Sequence, residues 1–322
     1  MLGDLARAVR LRAERDVEKI REFAKLSDHR GALEPWDVEF WEERYMEAHF
    51  GVQEEMLREY LALPNVLDAV GELCYRLFGV KLVLVRSADR EYISEDWFHY
   101  MFIDPATGAA LGHLVIDPYG KDGDRESTWM APPSDEGSGA VEQIITLRLP
   151  RPEDGGPALM RLKNVQSLFH EFGHAVEAIF TTRFRADASE QDSIELVPMF
   201  MELWMYDPST FDRYAVHYET NTRLPRAKLK RLVARWKFGA ARSLLGDIAR
   251  ATLDMSLHGQ REKAWTWADV RQEEVQVSRD VLGRTPHEEE CWTCLFDHIF
   301  EGDLYAANEY AFVWGRLLAF DC

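Results

Sequence analysis

Apolar residues change their spacing twice along this chain. Over residues 1 to about 78 they return at three- and four-residue steps with charged residues between them, which predicts helices. Trp36, Phe40, Trp41, Tyr45 and Phe50 fall at such steps and read as core packing. From about 81 to 149 the apolar residues bunch into short runs: Leu82–Val85, Trp97–Asp104, Leu111–Asp117 and Gln143–Leu149. Segments such as Asp104-Pro105-Ala106-Thr107-Gly108 separate them, so these runs predict strands joined by turns. The stretch from Gly120 to Gly139 reads as a flexible loop. From 158 onward the helical spacing returns, with breaks near Pro208, Pro225, Gly259 and Pro286. The pattern divides the chain into a helical segment at 1–80, a small sheet at 81–150 and a helical region at 151–322. Residues 81–322 are expected to act as one structural unit.

One helical segment carries chemistry. Between Ala158 and Phe180, residues Leu162, Val165, Leu168, Phe169, Phe172, Val176 and Ile179 mark a buried face, and Pro157 stands just before it. Within this segment lies His170-Glu171-Phe172-Gly173-His174, of the form H-E-x-x-H. Residues four apart share a helix face, so the two imidazoles can hold one metal ion, with Glu171 beside it to take a proton from a water. A catalytic zinc needs a third protein ligand and an open position. Glu195, in Asp192-Ser193-Ile194-Glu195-Leu196-Val197-Pro198, is the best candidate, far enough along for the first helix to end and a second to return. The following run, Met199 to Tyr206, is apolar except for Glu202. Glu195 and Glu202 are seven positions apart and share one face of that second helix. Two carboxylates aimed into an apolar element suggest one metal ligand and one partner for a ligating His.

These residues resemble the thimet oligopeptidase, oligopeptidase A and peptidyl-dipeptidase group of zinc metallopeptidases. Leu168-Phe169-His170-Glu171-Phe172-Gly173-His174-Ala175 is similar to the group's L-F-H-E-F-G-H-A, and Asp192-x-x-Glu195 followed by Glu202 resembles the segment with its third zinc ligand. Pro35-Trp36-Asp37 resembles its P-W-D, and Ala251-Thr252-Leu253-Asp254 its A-T-L-D. His298-Ile299-Phe300-x-Gly302, Tyr305-Ala306-Ala307 and Trp314 resemble a C-terminal signature. The resemblance runs from about Leu33 to the C-terminus. It implies a mainly α fold: a zincin-like helical catalytic domain with a small antiparallel β-sheet beside the active-site helix. It further implies one Zn2+ ion on His170, His174 and Glu195, with Glu171 as general base. His298 and Tyr305 would hydrogen-bond the substrate or the tetrahedral oxyanion. The implied activity is that of a metalloendopeptidase hydrolysing short peptides. The Phe-His-Glu-Phe-Gly-His run and the C-terminal signature separate the chain from the peptidases related to angiotensin-converting enzyme.

The chain also departs from that pattern. The signature's last tyrosine aligns with Phe312, which has no hydroxyl, an earlier tyrosine with Glu309, and a glycine with Asn308. Pro198 is one place later than usual, a histidine after the metal motif aligns with Glu177, and an arginine expected before Lys121 is absent. The group's pattern is longer than this chain, which corresponds to its catalytic half. These departures leave open a zinc-binding but catalytically impaired chain as the alternative to an active peptidase.

The chain has 322 residues, of which 46% are hydrophobic, as expected of a globular protein with a substantial core. Its net charge of −18 argues against a nucleic-acid partner. No apolar run is long enough to span a membrane. The arginines and alanines of Met1 to Arg15 give a weak mitochondrial signal beside a cytoplasmic expectation. The four cysteines are Cys74, Cys291, Cys294 and Cys322; Cys291 and Cys294 form a lone C-x-x-C, read as reduced thiols.

Overall fold

The computed structural model describes residues 1–27, 29–85, 94–120, 129–131, 142–152, 155–184, 191–259, 264–296, 298–300, 302 and 305–322. Two compact units are present. The first comprises Met1–Val52, Gln191–Ser193 and Lys230–Leu318, and the second Gln53–Glu190, Ile194–Leu229 and Ala319–Cys322. They interleave along the chain, whereas the divisions expected at 80 and 150 follow changes of local character.

The first unit contains α1 (Leu2–Leu26), α2 (Pro35–Phe50), most of α8 (Arg226–His258), α9 (Trp267–Val277) and the greater part of α10 (Tyr310–Asp321). The Pro35-Trp36-Asp37 motif is a helix start. Pro35 opens α2, where a missing N–H costs nothing, and Asp37 accepts from the Glu34 N–H at 3.1 Å in a capping box. Ile20, Ala24, Trp41 and Phe238 form one core cluster. Tyr45 and Phe50 pack partly buried against it, but Trp36 and Phe40 are 60% and 56% exposed. Their expected core role is corrected here: Phe40 lays only an edge against Trp41, with ring centroids 5.3 Å apart, and Trp36 meets His287 at 5.3 Å, so most of each ring stays in solvent. A second cluster joins α1, α8, α9 and α10 through Ala13, Ile248, Leu253, Val277, Ile299 and Val313.

The second unit holds α3 (Glu54–Arg58), α4 (Leu63–Phe78), α5 (Leu162–Phe184), α6 (Leu196–Trp204), α7 (Pro208–Tyr214) and a five-stranded sheet. Its strands are β1 (Lys81–Leu84), β2 (Phe98–Ile103), β3 (Ala110–Asp117), β4 (Trp129–Ala131) and β5 (Glu142–Thr146), in the order β1-β2-β3-β5-β4. The four expected strands are present within a few residues. The sheet is mixed, not purely antiparallel, because β5 inserts parallel to β3 and β4 pairs antiparallel on its far side. A parallel neighbour cannot follow by a tight hairpin, and β4 stands between β3 and β5 in sequence. β4 lies inside the expected Gly120–Gly139 loop; the remainder of that loop from residue 121, Lys121 included, falls outside the described residues. Leu114, Val115 and Ile116 of the central strand are at most 1% exposed.

Helix α5 rests on this sheet, with the Phe172 and Phe102 rings 5.8 Å apart. Val165, Leu168, Phe169, Phe172, Val176 and Ile179 are all buried, as their spacing predicts, while Leu162 at the first turn is half-buried. Each fully buried side chain of this size contributes about 1.5–3 kcal/mol. The helix begins after Ala158-Leu159-Met160 rather than at Pro157. Those residues bond instead to the start of α4: the Met160 N–H donates to Leu61 at 2.8 Å and the Leu63 N–H to Ala158 at 2.9 Å. Arg161 then caps α5, its N–H donating to the Asn164 side chain at 3.0 Å.

Candidate metal centre

His170 and His174 project from one face of α5, one turn apart, with ring centroids 5.0 Å from each other. Glu195 sits at the N-cap of α6 rather than within the helix, and its carbonyl accepts from the Met199 N–H at 3.0 Å. Pro198 is tolerated in that first turn because its position needs no donor. One Glu195 oxygen lies 3.2 Å from His170 Nε2 and 3.7 Å from His174 Nε2. The three donor atoms lie within 4.8 Å of one another. Ligands at zinc distances of about 2.0–2.1 Å around a tetrahedral ion stand about 3.3 Å apart. Two imidazole nitrogens and a carboxylate oxygen therefore have the spacing and the chemistry for such an ion, and His170, His174 and Glu195 could hold it.

Glu202 and Gln166 set the orientation of this group. His170 Nδ1 donates to Glu202 Oε1 at 2.7 Å, which leaves Nε2 turned toward Glu195. Gln166, one turn before His170, donates to the other Glu202 oxygen at 2.6 Å. A carboxylate on the far ring nitrogen fixes the tautomer and raises the basicity of the near one. Gln166 was not singled out in the sequence; its place four residues before His170 was the available signal. Gly173 was also passed over as anything more than part of the motif. A Cβ there would stand 2.5 Å from Pro198 Cα and 2.8 Å from Pro198 N. Only a glycine lets the start of α6 approach α5 this closely, and that approach brings Glu195 to the imidazoles.

The electrostatics favour a cation at this spot. Burial pushes the His170 imidazole down, but hydrogen bonds to Glu195 and Glu202 outweigh it and raise His170 to about 10. His174, facing the same burial with less compensation, falls to about 4 and is neutral at ordinary pH, the form in which an imidazole can ligate. Burial lifts the Glu171 carboxyl to about 7, with His170 opposing and Glu195 and Glu202 adding to the rise. A carboxyl in that range can accept and return a proton near neutrality. Glu177, where the resembled group has a histidine, lies half-buried on the next turn of α5.

His298 and Tyr305 belong to the first unit and are near one another. Their ring centroids are 4.6 Å apart, and Phe312 lies 6.0 Å from His298. His298 opens a 3-10 turn, and Tyr305 is 40% exposed on the loop before α10. Asp254, fully buried on α8, holds that loop in place. It accepts from the Ala307 N–H at 2.9 Å, the Glu309 N–H at 2.8 Å and His258 Nδ1 at 2.7 Å. Ala307 takes a positive φ of 59°, a left-handed conformation uncommon for a residue with a side chain. Glu309, at an aligned tyrosine position, is buried; it accepts from Arg250 Nε at 3.2 Å and lies 3.6 Å from His298 Nδ1. The Ala-Thr-Leu-Asp motif thus acts through its last residue, a role the sequence did not specify.

Known proteins are similar to this chain along its length. The family model described as Peptidase family M3 matches residues 1–322. Among curated relatives, the probable cytosolic oligopeptidase A of Arabidopsis thaliana is 31% identical over 96% of this chain and 46% of its own length. The organellar oligopeptidase A (chloroplastic/mitochondrial) of the same plant is 31% identical over 96% of this chain and 41% of its own. Oligopeptidase A of Escherichia coli K12 is 27% identical over 99% of this chain and 48% of its own. The chain spans about half the length of the curated relatives it matches. With that match over its whole length, the chain belongs to peptidase family M3.

Proposed function

We propose that this chain is a zinc-dependent peptidase acting on short peptides. The observation that carries this reading is the convergence of His170, His174 and Glu195 on one point, with Glu171 on the same helix between the two histidines. A zinc ion there would polarise a peptide carbonyl and bring the pKa of a water to about 7. Glu171 would take a proton from the attacking water and return it to the departing amine. Glu202 holds His170 in its ligating tautomer throughout. His298 and Tyr305 enter the proposal as hydrogen-bond donors to the carbonyl oxygen as it gains charge, each contributing on the order of a hundredfold. The oligopeptidase A names of the relatives support short peptides as substrates. The proposed compartment is the cytoplasm, in line with the cytosolic relative, with a mitochondrial alternative in line with the organellar one. No helix among the described residues is long and apolar enough to cross a membrane.

The test is metal content and turnover of a quenched peptide on the purified chain. Glu171→Gln is expected to lower turnover by roughly 10²–10⁴-fold while zinc stays bound. Equal turnover in the variant would sink Glu171 as the base. A second reading, a zinc-binding chain without catalysis, is favoured by Phe312, whose ring offers no donor beside His298. Zinc at one ion per chain with no turnover in the unmutated protein would select it.

A further inference from the structure

Cys291 and Cys294 take no part in the chemistry above, yet they are arranged. A 3-10 turn, Trp292–Leu295, begins directly after Cys291. Cys291 stands just before that turn and Cys294 within it, so the turn folds the two thiols back toward each other. Their Sγ atoms stand 3.0 Å apart. A disulfide needs about 2.05 Å, so closure takes roughly 1 Å of movement. Cys294 is exposed and Cys291 half-buried, so a reagent from solvent reaches Cys294 first.

A buried carboxylate anchors the turn between the two sulfurs. Glu274, on α9, is fully buried and accepts from the Thr293 N–H at 3.2 Å and from the Thr293 hydroxyl. Its other oxygen accepts from Arg271 Nη1 at 2.5 Å. Cys291 Sγ donates to the same carboxylate at 3.7 Å. The anchor fixes the residue in the middle of the turn, so the flanking sulfurs keep their register. Burial pushes the Cys291 thiol up, and the neighbouring Cys294 and the Glu274 charge add to the rise. That leaves the first attack to the exposed partner. Cys74 differs: it is fully buried, and burial raises its thiol to about 12.

We propose that Cys291 and Cys294 are a reversible redox pair that closes to an intramolecular disulfide in exchange with a small disulfide of the glutathione class. The Cys294 thiolate attacks one sulfur of the small disulfide. That S–S bond breaks, one small thiolate leaves, and a mixed disulfide remains on Cys294. Cys291 then gives up its S–H proton and attacks the Cys294 sulfur, expelling the second small thiolate, which takes up the proton. Two protein thiols are oxidised and one small disulfide is reduced to two thiols. In the closed form Glu274 keeps Arg271 and Thr293 but loses the Cys291 donor.

The experiment uses the full chain with Cys322→Ser, which removes the exposed terminal thiol, in glutathione buffers graded from reducing to oxidising. Free thiols are trapped by alkylation, and the peptide spanning 291–294 is weighed. Both cysteines are expected to become protected together in one transition, with the peptide lighter by two hydrogens, and excess dithiothreitol is expected to reverse it. Cys294→Ser should leave Cys291 alkylatable in every buffer, and Cys291→Ser should stop at a glutathione adduct on Cys294. The proposal is overturned if both thiols of the parent stay alkylatable at the oxidising end. It is equally overturned if Cys294 keeps its adduct while Cys291 remains free. Neither readout depends on zinc or on peptide turnover.

Discussion

The His170, His174 and Glu195 cluster stands on the packed faces of two helices, whereas His298 and Tyr305 hang from a 3-10 turn and a loop. In the first region regular backbone sets the positions, and buried side chains on α5 hold the helix to the sheet. In the second, Ile299 anchors the turn beside His298 in the core, and hydrogen bonds from Ala307 and Glu309 to buried Asp254 tie down the loop after Tyr305. A site on regular elements inherits their rigidity, while a site on loops is only as precise as the groups that tie the loops down.

Perturbing each region separately tests this contrast. Glu195→Ala should have the largest effect: loss of stoichiometric zinc and, with it, of turnover, measured by metal analysis after gel filtration. Retained zinc would break the assignment of Glu195. Asp254→Ala comes next. It strands two backbone N–H groups and His258, so unfolding free energy should fall by about 3 kcal/mol in a urea titration. Zinc content should persist wherever the variant remains folded; zinc lost from a folded variant would show that the two regions are not independent.

Gly173→Ala should act more gently and only on the first region. Its methyl must push the Pro198 backbone away, and zinc affinity should drop by roughly 10–100-fold, as when an outer support of a ligand is removed. A stability loss of about 1–3 kcal/mol is expected alongside. Unchanged zinc affinity would mean that α6 can retreat without moving Glu195. The smallest effect is one of protons. His170 is raised to about 10 in the metal-free chain, so it is protonated at neutral pH and zinc must displace that proton. Apparent zinc affinity should therefore rise as pH climbs toward 10, with about one proton released per ion, read by calorimetry in buffers of different ionisation heat. The same shift stabilises the metal-free fold fully below pH 6.5, and that contribution fades as pH passes through about 10.

Much of the candidate metal site was legible because its information is local. Helical spacing gave the buried face of α5, a four-residue step paired the histidines, and a seven-residue step put Glu195 and Glu202 together. What escaped depends on close approach between elements. Nothing in Gly173 itself says that a proline backbone will lie against it, and nothing in Gln166 says that Glu202 will come within reach. Trp36 and Phe40 misled because an aromatic at a helical step reads as core on either side of the helix, and only the packed helix decides which side is inside. β4 was missed because three residues in a run rich in Gly, Ser and Asp give too short an alternation to count. Asp254 carried a motif resemblance without a role, since the two backbone N–H groups it holds lie more than fifty positions away.

The parallel pairing of β3 with β5 bears on how the chain acquires its shape. Antiparallel neighbours β1, β2 and β3 are successive in sequence, but β3 and β5 meet only after the long excursion through β4 closes on itself. Loop closure of that kind slows the search, because its entropy is lost before the strand contacts compensate. Helix α5 packs against β3, β4 and β5, so its seat is complete only when that excursion has closed. The support beneath the imidazole pair is therefore finished only when β5 has joined β3.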